Sequence, residues 1–144
     1  MMSYSIGEVS NMTGISVSTL RYYDAQGFFP KIIRGNGGIR EFSDHELAVL
    51  KTLDCLKSSG LSIKEIQHFF QLAQLENESL EARRDLFYQQ KSAVIKQIEE
   101  LTQTLNMIRY KCWYYDTAIE LGDERKVQDI PTEKLPEDIR SFRY

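Results

Sequence analysis

Between Ser79 and Leu121 the chain carries neither glycine nor proline, and apolar or aromatic residues return at every seventh position: Leu80, Phe87, Val94, Leu101, Ile108 and Tyr115. Ile98, Leu105, Cys112 and Ile119 stand at the companion position of the same seam. A repeat of seven sustained this long predicts one helix whose apolar stripe needs a second helix. At 1.5 Å per residue it would run roughly 60 Å, beyond the width of any small domain the remaining chain could build. A two-chain coiled coil, and so a homodimer, is the expectation. Arg84 and Lys91 at companion positions make the first turns of that seam polar.

The segment before it is punctuated by helix starts. A Ser oxygen can accept from a free backbone N–H while a Glu three residues on reaches back, and Ser5/Glu8, Ser43/Glu46 and Ser62/Glu65 all have this spacing. After Ser5, Ile6, Val9 and Met12 share a face until Gly14 breaks the pattern; Ser16 then caps a second helix carrying Val17 and Leu20. Gly27 and Pro30 close that helix. Residues 31–42 read as two short β-prone runs around the turn GNGG, a small hairpin. The helix from Ser43 carries Leu47, Leu50 and Leu53 and ends by Gly60; the one from Ser62 carries Ile63, Ile66, Phe70 and Ala73. The predicted order is helix, turn, helix, hairpin, helix, helix. The fold class is mainly α: a winged helix-turn-helix domain with a small β-hairpin wing over residues 1–75, followed by a long dimerising coiled-coil helix over 76–121. Residues 122–144, with Pro131 and Pro136 and few core candidates, are expected to form a short tail, extended or partly ordered.

Length and composition agree with one small domain plus an appendage: 144 residues, 42% hydrophobic and 27% charged, too short for a barrel enzyme. No apolar run is long enough to span a bilayer, and the opening MMSYSIGEVS lacks a basic-then-apolar pattern, so no membrane partner and a cytoplasmic location are expected. Net charge is −3, and residues 1–60 hold six basic against six acidic side chains. Global charge therefore argues nothing for nucleic acid, and any case must rest on a local arrangement.

Such an arrangement exists in the helix-turn-helix. With Val17, Leu20 and Tyr23 turned inward, its second helix leaves Ser16, Ser18, Thr19, Arg21 and Tyr22 on other faces, groups suited to phosphates and base edges. The bland reading is a solvated helix face. The hairpin tips the balance, because Arg34 and Arg40 stand at its shoulders with only Glu41 as a nearby acid. Paired arginines beside a recognition helix make a wing that grips a nucleic-acid backbone.

The string SIGEVSNMTGISVSTLRYYDAQGFFP, then Arg34, Gly38, Arg40 and Phe42 in R-x-x-x-G-x-R-x-F, then GLSIKEI at 60–66, resembles the MerR family of bacterial transcription regulators. The likeness is dense over residues 4–75 and extends to about Gly122. It implies an antiparallel homodimer on double-stranded promoter DNA, with residues 79–118 as the coiled coil and RNA polymerase on the same promoter. It also implies DNA contacts from Arg21 and Tyr22, from Arg40 and Arg34 in the wing, and from Lys57 before Gly60. The implied mechanism is distortion of the promoter, altered by an effector, so that DNA shape is read as well as bases.

Metal-sensing relatives carry cysteines at the start of the long helix and in a loop after it, and neither place has one here, so no metal site is expected; no cofactor is implied either. His45, Cys55, His68 and Cys112 lack zinc spacings. Drug-binding relatives carry a further domain that the tail is too short to form. Tyr110, Trp113, Tyr114 and Tyr115 could line a small apolar effector pocket, or pack the rod's end against the partner's DNA-binding domain. Short-tailed relatives that answer aldehydes and other electrophiles have a cysteine in the phrase LDCLKSSGLSI, which implies Cys55 as the effector-sensing thiol; its plain alternative is a small buried hydrophobe. Cys112 reads as seam packing.

An enzyme is not expected. Cys55 and His45 lie ten residues apart on one helix, roughly 15 Å of rise, out of hydrogen-bond reach. A non-catalytic adaptor using the same fold for partner contacts is the competing class, and strong salt dependence of DNA binding would separate the two.

Overall fold

The computed structural model describes residues 2–143. The chain divides into two compact units, one running to Lys91 and the other beginning at Ser92. Among the described residues no helix is long and apolar enough to cross a membrane.

The first unit opens with strand β1 (Ser3–Ser5), then helices α1 (Ile6–Thr13) and α2 (Val17–Ala25). Strands β2 (Ile33–Arg34) and β3 (Arg40–Ser43) enclose a 3-10 turn at Asn36–Gly38, and helices α3 (Asp44–Ser58) and α4 (Ile63–Ala73) follow. The predicted order of helices and hairpin stands. The sheet has an unpredicted third member: β1 pairs antiparallel with β3, Tyr4 opposite Phe42, giving the order β1-β3-β2. A three-residue SYS offers no periodicity from which to read a strand.

The caps act as their spacing predicts, with one exception. Full reciprocal boxes form at Ser43/Glu46 and Ser62/Glu65. At Ser5 only the first half forms, Glu8 N–H donating to Ser5 Oγ at 3.1 Å, because Ser5 is also the last residue of β1 and lies opposite Glu41. Glu46 is 3% exposed, and its Oε1 accepts from both the N–H and the hydroxyl of Ser43 at 3.0 and 2.8 Å, so the buried carboxylate is satisfied. Gly14, at φ 75°, closes α1 in the left-handed conformation that makes the tight turn into α2.

Val9, Leu20, Phe42, Leu50, Leu53, Leu56 and Ile66 are fully buried at the centre of this unit. Full burial of such a side chain stabilises by about 1.5–3 kcal/mol, so Leu20 anchors α2 to this core. Met12, expected on the inner face of α1, is exposed. The 3-10 turn Glu76–Ser79 leads into α5 (Leu80–Leu121); buried Ser79 donates to the Leu72 carbonyl and accepts from Arg83 Nε at 2.9 Å. Within this unit the first turns of α5 lie on the core: Leu86 joins it, Phe87 meets Phe69 edge to face at 5.4 Å, and Ser59 Oγ donates to Gln90 Oε1 at 3.1 Å.

In the second unit the apolar stripe of α5 is uncovered. Leu101 is 68% exposed, and Ile98, Leu105, Ile108, Tyr115, Ile119 and Cys112 are exposed along the same row. The tail, expected to be extended or partly ordered, is folded into short helical turns. Helix α6 (Glu124–Gln128) and 3-10 turns at Thr132–Lys134 and Arg140–Phe142 bury Val127, Leu135 and Ile139 against Tyr110, Tyr114 and Ala118. Three apolar residues spread over thirteen positions show no helical or strand period, yet they converge once the chain turns back at Gly122, where φ is 78°. Arg143 secures the return by donating to the carbonyls of Val127, Gln128 and Ile130 at 3.0, 3.1 and 2.5 Å.

Candidate nucleic-acid interface

The capping hydroxyl of Ser16 sets the start of α2, accepting from Thr19 N–H at 3.2 Å and meeting the hydroxyls of Thr19 and Ser18 at 2.8 and 3.1 Å. Ser16 and Ser18 are exposed and Thr19 is half-buried. One turn on, Leu20 and Tyr23 point into the core, which leaves Arg21 and Tyr22 on the opposite face, both exposed. Tyr23 is a core residue, as its spacing predicts, packed edge to face on Phe28 at 5.9 Å.

Tyr23 also ties Lys57 to α2. The Lys57 ammonium donates to the Tyr23 hydroxyl at 3.4 Å, off the edge of the ring. A residue 34 positions downstream is thereby tied to α2.

The wing is tied to the other flank through Asp24. Its Oδ2 accepts from Arg34 Nη2 at 2.7 Å and from Arg40 Nε at 2.6 Å. Arg34 Nη1 donates further to the Gly38 carbonyl at 3.3 Å, bracing the turn. Arg34 and Arg40 are direct partners in the β2–β3 register, which is why both reach one carboxylate. The acid that answers the wing arginines is therefore Asp24, not neighbouring Glu41, which makes no ion pair among the described residues. Two guanidiniums on one carboxylate leave the trio with a net positive charge. α2 is thus a hub: Arg21 and Tyr22 face outward, Lys57 is held on Tyr23, and both wing arginines are held on Asp24.

Cys55 stands apart from this group. It lies on α3 with its side chain exposed, so it is not the small buried hydrophobe of the plain alternative. Among the described residues no group of three or more His, Cys, Asp and Glu could hold a metal ion.

In the second unit Tyr110 and Tyr114 lie beneath the chain's own tail, Trp113 is half-buried and Tyr115 is exposed. The Tyr114 hydroxyl sits between Gln128 Nε2 at 3.2 Å and Glu124 Oε1 at 3.0 Å. The Gln128 bond lowers its pKa, but burial and the Glu124 carboxylate outweigh it and the net shift is upward. The cleft beside these rings, about 470 Å³, is lined by Tyr110, Lys111, Tyr114, Gln128 and Arg143, a mixed polar and aromatic wall.

A helix pair joined by a tight turn, an arginine-shouldered β-hairpin and a second helix pair define a winged helix-turn-helix regulator. The family model for the MerR HTH family regulatory protein matches residues 4–73. The chain belongs to the MerR family. It is 36% identical to an uncharacterized HTH-type transcriptional regulator of Haemophilus influenzae over 94% of this chain and 98% of that one. The crystal structure of HiNmlR, a MerR family regulator lacking the sensor domain and bound to promoter DNA, superposes with a TM-score of 0.85 at 36% identity, covering 90% of this chain and 98% of that one. A MerR family regulator from Bacillus thuringiensis superposes at 0.70 with 33% identity, covering 77% and 97%. These relatives are transcriptional regulators rather than enzymes.

Proposed function

We propose that the protein acts as an antiparallel homodimer that binds and distorts a near-palindromic promoter in double-stranded DNA, beside RNA polymerase, and answers thiol-reactive electrophiles through Cys55. The observation that carries the DNA reading is its likeness to promoter-bound HiNmlR, which extends through 98% of that chain. Ser16, Ser18, Thr19, Arg21 and Tyr22 of α2, Arg34 and Arg40 of the wing, and Lys57 are the contacts. Arginine and lysine neutralise phosphates, while hydroxyls and Arg21 reach the groove.

Dimerisation is supported by the exposed stripe on α5. A contiguous apolar row of this length marks an interaction surface, unlike scattered apolar residues. Two copies zipped along it would hold two reading heads at a fixed separation, as a two-fold operator requires.

Accessibility supports the sensing role of Cys55. Its thiol is open to an aldehyde, and addition across the carbonyl forms an S–C bond while the thiol proton passes to oxygen. α3, which bears Cys55, is linked to α5 near its C-terminal end by the Ser59–Gln90 hydrogen bond. Added bulk on α3 would then turn the two DNA-binding halves relative to one another.

Footprinting on the DNA upstream of the protein's own gene, with and without aldehyde, tests the reading. A protected near-palindrome whose central base pairs change reactivity on aldehyde addition is the expected result. No protection at all would remove the DNA role, and protection indifferent to aldehyde would remove the sensing role.

A further inference from the structure

We infer that Asp24 is a positioning residue for DNA binding: it holds the Arg34 and Arg40 guanidiniums in place before DNA arrives, so that the wing meets the phosphates ready-formed. The inference rests on the DNA-binding reading above. An acid on a face that must meet a polyanion is unfavourable by charge alone, and Asp24 also stands in the last turn of α2, where the helix dipole opposes it. Its side chain is 9% exposed, and two charge-assisted bonds of 2.6 and 2.7 Å converge on one oxygen. Arg40 uses Nε for this contact. Neither of its terminal nitrogens has a hydrogen-bond partner among the described residues, so a guanidinium fixed at its inner nitrogen presents its outer edge to an acceptor from outside. Arg34 is pinned at both terminal nitrogens, to Asp24 and to Gly38, and acts as a brace as well as a charge. Long cationic side chains lose rotamer freedom on binding, and a side chain ordered in advance does not pay that cost again.

The two effects of Asp24 have opposite signs, which makes the inference decidable. Asp24→Ala removes the negative charge together with the oxygen that accepts from both guanidiniums, so electrostatics alone predicts tighter binding. Loss of positioning predicts affinity weaker by about tenfold, the ordering cost of two such side chains. Binding is measured on a duplex spanning the footprint upstream of the protein's own gene and on a random-sequence duplex of equal length. In an Arg34→Ala/Arg40→Ala background only the charge effect remains, so Asp24→Ala should there tighten binding instead of weakening it. The free wild-type protein should show the Arg40 Nε–H as ordered as the backbone by nitrogen relaxation, and this holds as a test even where Asp24→Ala disturbs folding. Equal or tighter binding by a folded Asp24→Ala protein, or a mobile Arg40 Nε in the wild type, would overturn the inference alone. Failure of the wild type to bind either duplex would overturn the DNA-binding reading and this inference with it.

Discussion

Asp24 Oδ2 and Arg40 Nε are 2.6 Å apart although sixteen residues of chain separate them. The contact joins the last turn of α2 to the first residue of β3, and Arg34 reaches the same oxygen from the opposite strand. One carboxylate, its side chain 9% exposed, thus ties the wing to α2. The guanidiniums offset the dipole penalty that Asp24 meets at a helix C-terminus, and the turn Asn36–Gly38 closes the hairpin that keeps them level.

Replacing Cys55 by serine should separate the proposed sensing from binding. Cys55 is exposed and makes no side-chain bond among the described residues, so stability should change by no more than about 0.5 kcal/mol. DNA affinity should be retained while the transcriptional response to aldehyde is lost in a reporter assay. An undiminished response in the variant would remove Cys55 from the mechanism.

A charge on the α5 stripe should break the proposed dimer. Leu101 is 68% exposed within a single chain, so Leu101→Glu leaves the fold of the protomer intact. Burying an unpaired carboxylate in a coiled-coil seam is costly. Sedimentation should give two chains for the wild type and one for the variant, with promoter affinity falling alongside. A wild type that sediments as a single chain at micromolar concentration would contradict the dimer itself.

Acid should loosen the start of α4. The Ser62 backbone N–H bond, then the Ser62 hydroxyl, hold the Glu65 carboxyl below its ordinary 4.5. The folded chain binds this proton less readily than the unfolded chain does. The contribution is therefore complete above pH 4.5 and fades as pH falls through the depressed value. Carboxyl-carbon NMR titration should place the Glu65 midpoint below 4.5, and Glu65→Gln should remove this part of the acid dependence. A midpoint at or above 4.5 would show that the capping box does not persist in solution.

The tail is a packed element, and Leu135 is its anchor at 1% exposure. Leu135→Ala should cost about 2–5 kcal/mol. The loss should appear as faster hydrogen exchange over residues 123–143, with exchange over residues 44–73 unchanged. Unaltered protection of the tail would mean that the cluster with Tyr110, Tyr114 and Ala118 does not hold it.

What the sequence determined by itself lies within one or two helical turns. The caps at Ser16, Ser43 and Ser62, the breaks at Gly14 and Gly27, the arginine-shouldered hairpin and the seven-residue repeat of α5 are signals between residues near in the chain. Their geometry follows from backbone sterics and hydrogen-bond reach wherever they occur. The inward turn of Leu20 and Tyr23 was legible for the same reason, and so were Arg21 and Tyr22 as exposed candidates. Tertiary structure alone decided that β1 completes the sheet, that Asp24 rather than Glu41 receives the wing arginines, that Lys57 rests on Tyr23, and that the tail folds back onto Tyr110 and Tyr114. Each of those joins residues ten or more apart along the chain or lacking any period. No local preference encodes such a meeting, because it exists only once separate elements are packed and their side chains compete for the same partner.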